Sequence, residues 1–189
     1  MTEFTTYTAE TAPEGSKEIL KAVEAEYGFL PELMKVLAGS PELLSTYIQA
    51  HTSFVATSFT AEEKTVVWQT INVMHECTYC VPAHTAIAKS MNVDDAITDA
   101  LRNETALGDD KLESLRRFVM AMVEKRGNVA KEDTDAFYAA GYSEKHALEV
   151  INGLAQKVIT NYTNHIAKTT SDAQFAPFAW SRAEKVAAE

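Results

Sequence analysis

The feature that most limits the fold is a helical period that runs almost unbroken along the chain. Apolar residues recur three and four apart in segment after segment, and no segment keeps the period-two alternation of a half-buried strand. Ile19, Leu20, Val23 and Tyr27 mark the first such face, over Glu14 to Tyr27, and Gly28 ends it. Pro31 opens a short helix carrying Leu33, Met34 and Leu37, closed by Gly39. Ser40 then caps a helix whose first residue is Pro41 and whose apolar face is Leu43, Leu44, Tyr47 and Ile48, extending to Phe54 and Val55. Thr60-Ala61-Glu62-Glu63 is a capping box, and the helix behind it carries Val66, Val67, Ile71, Val73 and Met74. Further helices are expected over Cys80 to Met91, Ala96 to Leu101, Asp109 to Lys125, Lys131 to Ala140 and, opened by Ser143 and His146, on through Lys168. Usual helix lengths make this roughly eight to ten helices. The expected fold class is all-α.

A chain of 189 residues suits one domain. Residues 1–13 read as an irregular arm and 14–189 as a single helical domain. Glu63 and His84 stand as far apart as Glu144 and His165, and an Ile-Ala-Lys run follows each His. An old duplication of a helical hairpin would explain the echo, and so would chance.

Acidic residues outnumber basic ones 27 to 17, a formal charge of −10. Such a surface argues against nucleic acid or an anionic membrane as partner. No apolar run is long enough to span a bilayer, and Met1 to Pro13 lack the basic and apolar regions of a secretory signal. The expected compartment is the cytoplasm.

The two cysteines, Cys77 and Cys80, are three positions apart, which reads as redox chemistry or half a metal site. One helical turn puts their Cβ atoms about 5–6 Å apart. A disulfide needs them nearer about 4 Å, a modest adjustment. Pro82 fits only in the first turn of a helix, so the cap falls at Tyr79, Cys80 or Val81. Cys80 then sits at a helix N-terminus, which favours a thiolate. His84 lies four residues on, placed to take the Cys80 proton and, as imidazolium, to steady the anion. A thiolate, a base and a second thiol are the minimum parts of a dithiol peroxidase or disulfide reductase. The competing readings are buried core cysteines and zinc, with Cys77, Cys80 and His84 as three ligands and His75, Glu76 or a distant His as the fourth. No second ligand pair exists along the chain, which weighs against zinc. No metal or cofactor is expected.

At these residues the chain resembles the alkylhydroperoxidase D-like family, grouped with the carboxymuconolactone decarboxylases. The motif Cys77-x-x-Cys80-x-x-x-His84 carries the resemblance. Tyr27-Gly28-Phe29-Leu30-Pro31 through Ser40-Pro41-Glu42-Leu43-Leu44 adds to it, as do Asn161 to Ala167 and Phe178-Ala179-Trp180, which look like the C-terminal signature of longer, peroxidase-related members. The resemblance implies an all-helical fold that self-associates as dimers, trimers or hexamers. It implies an antioxidant, peroxiredoxin-type oxidoreductase. The substrate would be a hydroperoxide, and electrons would come from a dithiol or a lipoyl- or thioredoxin-like protein. By the family pattern Cys80 attacks the peroxide, Cys77 resolves it through a redox-active disulfide, and His84 serves the proton relay.

Two departures stand out. The family relay has a Glu where this chain has Thr65; Glu62 and Glu63 are nearby, and Glu63 matches a Glu common in the longer members. Tyr79 stands between the cysteines where the peroxidases have His. Glu63 is therefore one further site candidate. His165 is another, either beside the thiols as a second relay group or as a structural residue at a subunit interface. His51 and His146 read as solvated or capping. Trp68 and Trp180 read as core or interface anchors. The alternatives to a peroxidase are a lyase of the decarboxylase type and a non-enzymatic helical oligomer whose thiols only sense redox state.

Overall fold

The computed structural model describes residues 4–182; residues 1–3 of the expected arm and 183–189 of the expected domain lie outside the described residues. Among these, nine α-helices follow one another: α1 Glu14–Tyr27, α2 Glu32–Leu37, α3 Pro41–Val55, α4 Ala61–Met74, α5 Cys80–Ser90, α6 Asp95–Arg102, α7 Asp110–Glu124, α8 Lys131–Ala139 and α9 Glu144–Ala167. A short 3-10 turn, Ala173–Phe178, follows α9. There is no strand among the described residues, so the fold is all-α.

Helix ends fall where the side chains dictate. Gly28 closes α1 with φ 75°, a left-handed conformation that glycine takes without strain. Ser40 Oγ accepts from Leu43 N–H at the head of α3. At α4 the capping box is complete: Glu63 N–H donates to Thr60 Oγ1, and Thr60 N–H donates to a Glu63 carboxylate oxygen.

Two apolar cores result. One gathers Leu20, Val23, Leu33, Leu37, Leu44 and Tyr47 from α1 to α3, and includes both cysteines. The other gathers Phe54, Val66, Ile71, Leu115, Phe118 and Phe137, centred on α4, α7 and α8. α9 packs against α2, α3 and α4 and so borders both. It comes close because position 153 is glycine: a Cβ there would meet Phe54 Cε2 at 2.6 Å and Val67 Cγ1 at 2.9 Å. No helix of the described residues is long and apolar enough to cross a membrane.

The echo around His84 and His165 is not a repeated hairpin. Glu63 and His84 lie on two helices joined by a turn, whereas Glu144 and His165 lie on the single uninterrupted helix α9. No Pro falls between Glu144 and Ala167, and Gly153 is accommodated inside the helix, so the second copy runs unbroken.

Candidate active site

α4 ends by turning back on itself. His75 is its last half-helical residue, Glu76 takes φ 53°, and Cys77 N–H returns to Asn72 O at 3.0 Å while Glu76 N–H returns to Val73 O. This paired closure is a Schellman motif, with Glu in the place that Gly usually fills. Arg182 holds Glu76 from outside by an ion pair of 2.7 Å. The motif sets Cys77 just before α5. Tyr79 then caps α5, Cys80 is its first residue and Pro82 lies in the first turn, as the sequence requires.

Polar side chains from α4 and α9 fix this corner. Gln69 Nε2 donates to Val81 O and Thr85 Oγ1, both at 3.1 Å. Asn161 Nδ2 donates to Asn72 Oδ1 at 3.0 Å, and Asn161 Oδ1 lies 2.9 Å from His75 Nδ1. Tyr79 OH donates to Asp172 at 2.5 Å and accepts from Leu33 N–H.

Both cysteines are free thiols and almost wholly buried. Asn164 Nδ2 donates to Cys80 Sγ at 3.2 Å. The first amide of α5, Cys80 N–H, donates to Cys77 Sγ at 3.2 Å. Burial pushes the Cys80 thiol up, but the Cys77 thiol, the Lys157 ammonium, Asn164 and Asn161 together overcome it and bring its pKa down to about 5. Cys77 moves the other way, far above the ordinary thiol range, because its S–H donates a hydrogen bond to the Cys80 sulfur and it is itself buried. The surroundings therefore favour the negative charge on Cys80 and the proton on Cys77.

The direction of this asymmetry agrees with the sequence expectation, and the cause differs. The helix N-terminus serves Cys77 rather than Cys80. The cation beside the thiolate is Lys157 of α9, and His84 is no imidazolium. Burial first, then Lys157 and His51, hold the His84 pKa well below its ordinary value. Lys157 Nζ lies 2.8 Å from His84 Nε2. An ammonium only donates, so Nε2 accepts and a neutral ring carries its proton on Nδ1. His84 Nδ1 is buried with no hydrogen-bond partner among the described residues.

Lys157 is the residue that sequence reasoning missed. It is 1% exposed, and burial lowers its pKa while the Cys80 and Cys77 charges act to raise it. The signal was present in the spacing. Val150, Gly153, Lys157, Thr160, Asn161 and Asn164 are one buried stripe at helical period, apolar in the first half of α9 and polar in the second.

A cleft of about 520 Å³ opens onto Cys80, His84 and Lys157. Its walls are largely aromatic and aliphatic, with Tyr27, Phe29, Met34, Tyr47, Trp68 and Phe175 among them. His51 also lines it, contrary to the solvated or capping role expected; burial, then Lys157, lowers its pKa to about 4. Gln156 joins it to Trp68, accepting from Trp68 Nε1 at 2.7 Å while its Nε2 lies 2.9 Å from His51 Nδ1. Trp68 is buried and lies against His84, with ring centroids 4.8 Å apart. His146 does act at a helix start, where Ser143 N–H donates to its Nδ1.

Glu63 does not join the thiols, and His165 stands beside Cys77 but not in the Cys80 cleft. Glu63 is spent on the α4 cap and on Lys111 at 2.9 Å, at the opposite end of α4 from Asn72. A capping box needs its Glu in the first turn, so this residue cannot also reach the helix's last turn, about 1.5 Å per residue further on. His165 is exposed and borders a second, smaller opening on the Cys77 side. Among the described residues no three His, Cys, Asp or Glu side chains converge as a metal-ligand set.

Models of protein families and curated protein sequences give no match to this chain. Solved structures do. It is similar to an uncharacterised peroxidase-related protein from Ralstonia eutropha, described as an alkylhydroperoxidase AhpD core, with TM-score 0.80 and 17% identity over 93% of this chain and 96% of that one. It is similar to an uncharacterised peroxidase-related protein from Silicibacter sp., with TM-score 0.77 and 15% identity over 92% and 95%. A variant of the debrominase Bmp8 in complex with 2,3,4-tribromopyrrole matches with TM-score 0.77 and 19% identity over 94% and 95%. The chain therefore has the all-α alkylhydroperoxidase D-like fold.

Proposed function

We propose that the protein is a thiol-dependent hydroperoxide reductase in which Cys80 is the nucleophile. The observation that carries this reading is a buried Cys80 whose thiolate is favoured at pH 7, at the edge of an apolar cleft, with a protonated thiol and a proton-bearing Lys157–His84 pair beside it. Cys80 sulfur attacks the terminal oxygen of ROOH and the O–O bond breaks. His84 Nδ1–H gives its proton to the leaving alkoxide, and His84 Nε2 takes one from Lys157. Cys80 is left as a sulfenic acid and ROH departs. Cys77 then attacks the Cys80 sulfur, water leaves, and a Cys77–Cys80 disulfide remains. A dithiol donor returns the pair to the thiol and thiolate and restores the Lys157 proton. Lys157 supplies here what the family pattern assigns to the Glu missing at Thr65.

The test is consumption of cumene hydroperoxide with dithiothreitol as donor. Turnover in the wild type, lost in a folded Cys80→Ser variant, supports the reading; peroxide-treated protein whose thiols both stay free defeats it. That last result would also exclude redox sensing by this pair.

A second reading uses the same thiolate on a halogenated ring. Its support is the aromatic wall of the cleft and the likeness to a debrominase. Halide release from a bromopyrrole with dithiothreitol, unmatched by peroxide turnover, would favour it. A decarboxylase-type lyase would need neither thiol. Self-association belongs to the same proposal: Leu148, Ile151, Tyr162 and Ile166 stand exposed along α9, and a second copy would cover them. A monomeric mass by light scattering at micromolar concentration would count against it.

A further inference from the structure

The two thiols face different openings. The apolar cleft is lined by Cys80 and not by Cys77. A second opening, about 310 Å³, is lined by Cys77 and not by Cys80. Tyr79 borders both and is buried, so it forms the partition between them; its hydroxyl is fixed by Asp172 and Leu33.

The second opening is built differently from the first. The end of α9 supplies Asn164, His165 and Lys168, and Thr169 follows. Two of its polar atoms, Asn164 Oδ1 and Thr169 Oγ1, are buried without a hydrogen-bond partner among the described residues. Buried polar atoms are ordinarily satisfied, and two orphans in one small cavity are what a polar ligand would meet. Lys168 and His165 are exposed at its rim, favourable to an incoming anion on a chain of net charge −10.

We propose that this opening admits the reductant, a small dithiol, and that its thiolate attacks Sγ of Cys77 from the side opposite the substrate. The inference rests on the dithiol reading above. The new bond joins the donor sulfur to Cys77, the Cys77–Cys80 bond breaks, and its electron pair leaves on Cys80. Lys157, which lines the apolar cleft, regains its proton there as the Cys80 anion forms, while the donor's second thiol loses its proton to solvent at its own opening and attacks the donor's bound sulfur. A cyclic disulfide departs, and Cys77 leaves as a thiolate that takes a proton from solvent. The direction follows from leaving-group chemistry as well as access. The sulfur that leaves best is the one whose anion the protein stabilises, and Lys157 and Asn164 stabilise Cys80. Substrate and reductant thus need not exchange places in one cleft.

The full chain, oxidised with diamide, serves for the test, so the outcome does not depend on which substrate the cleft takes. Brief exposure to 2-mercaptoethanol, quenched with iodoacetamide, labels the attacked and the released sulfur differently, and peptide fragmentation locates each label. The expected product carries mercaptoethanol on Cys77 and carbamidomethyl on Cys80, in at least about tenfold excess over the reverse. The reverse product, or equal amounts, overturns the inference while leaving the dithiol reading intact. Failure of diamide to form the disulfide in folded protein overturns both. A Thr169→Trp variant, which fills the second opening, should be reduced by dithiothreitol at least about tenfold more slowly. An unchanged rate in folded variant counts against the inference.

Discussion

α7 turns Leu115, Phe118, Val119 and Met122 inward; the second half of α9 turns Gln156, Lys157, Thr160, Asn161 and Asn164 inward at the same three- and four-residue spacing. The first face meets other apolar groups, with Phe118 stacked on Phe137 at 4.1 Å and Phe137 on Tyr142 at 4.6 Å. The second meets sulfur, imidazole and amide. Burying an apolar side chain contributes about 1.5–3 kcal/mol to folding. Burying a polar one costs free energy unless every partner is found, and a buried ammonium costs more. Equal burial on α7 and α9 therefore has opposite energetic sense. The α7 face stabilises the molecule, and the α9 face draws on that stability to hold a thiolate.

The contrast can be broken from either side. Phe137→Ala should show the largest effect on folding, lowering the unfolding free energy by about 3–5 kcal/mol, because its ring is fully buried between two others. Iodoacetamide labelling of Cys80 near neutral pH should not change in the folded variant. Denaturant unfolding alongside alkylation checks both halves.

Lys157→Met should behave in the reverse sense. Without the ammonium the Cys80 thiol becomes less acidic, and each pKa unit lost is about 1.4 kcal/mol, or tenfold in thiolate where the thiol form predominates. Alkylation of Cys80 at pH 5 to 6 should fall by about tenfold or more. Stability should fall less than in Phe137→Ala, since a buried charged group gives way to an apolar one of similar length. If Lys157→Met unfolds as readily as Phe137→Ala and leaves labelling unchanged, the polar stripe is only scaffolding.

A smaller shift is expected from Asn164→Ala. In the wild type the alkylation rate should rise as pH passes upward through about 5 and then stay flat to neutrality, because the thiolate forms on that side of the pKa. Losing the Asn164 hydrogen bond to Cys80 should move that rise to higher pH by about one unit. A profile that coincides with the wild type would remove Asn164 from the list of thiolate donors.

Glu63→Gln should have the least effect. Glu63 ties down the α4 cap and Lys111, a half-exposed partner, so unfolding should ease by about 1 kcal/mol or less. A marked loss of Cys80 reactivity in this variant would return Glu63 to the proton relay.

The same contrast explains what the sequence made legible. Helix limits followed from local chemistry: Thr60 with Glu63, Ser40 with Pro41, and Gly28 each act within a turn of themselves. The α7 face was equally readable, since apolar residues at helical spacing have one common fate. The α9 face was not. A Lys or Asn at the same spacing suits a solvated face equally well, and only the packing of α9 against α2, α3 and α4 decides between them. The motif residues Cys77, Cys80 and His84 do come together at one corner of the fold, but the charge that organises them arrives from a helix more than seventy positions away. The local argument assigned the N-terminal amide to Cys80, whereas the Schellman turn at Glu76 lets Cys77 receive it. The 3-10 turn that carries Phe175 to the cleft had no periodic signal to announce it.

The buried pairing of Lys157 with Cys80 also bears on the redox potential of the dithiol. In the reduced protein the two opposite charges largely cancel; a disulfide removes the anion and leaves the lysine buried beside His84, so oxidation lowers the Lys157 pKa further. What stabilises the thiolate stabilises the reduced form, which makes the couple more oxidising, by about 30 mV for each tenfold shift in the exchange equilibrium. Equilibration against a glutathione buffer should therefore find Lys157→Met the more reducing of the two proteins. Seen this way, a single lysine on α9 helps set how readily the protein gives up its disulfide to a passing donor.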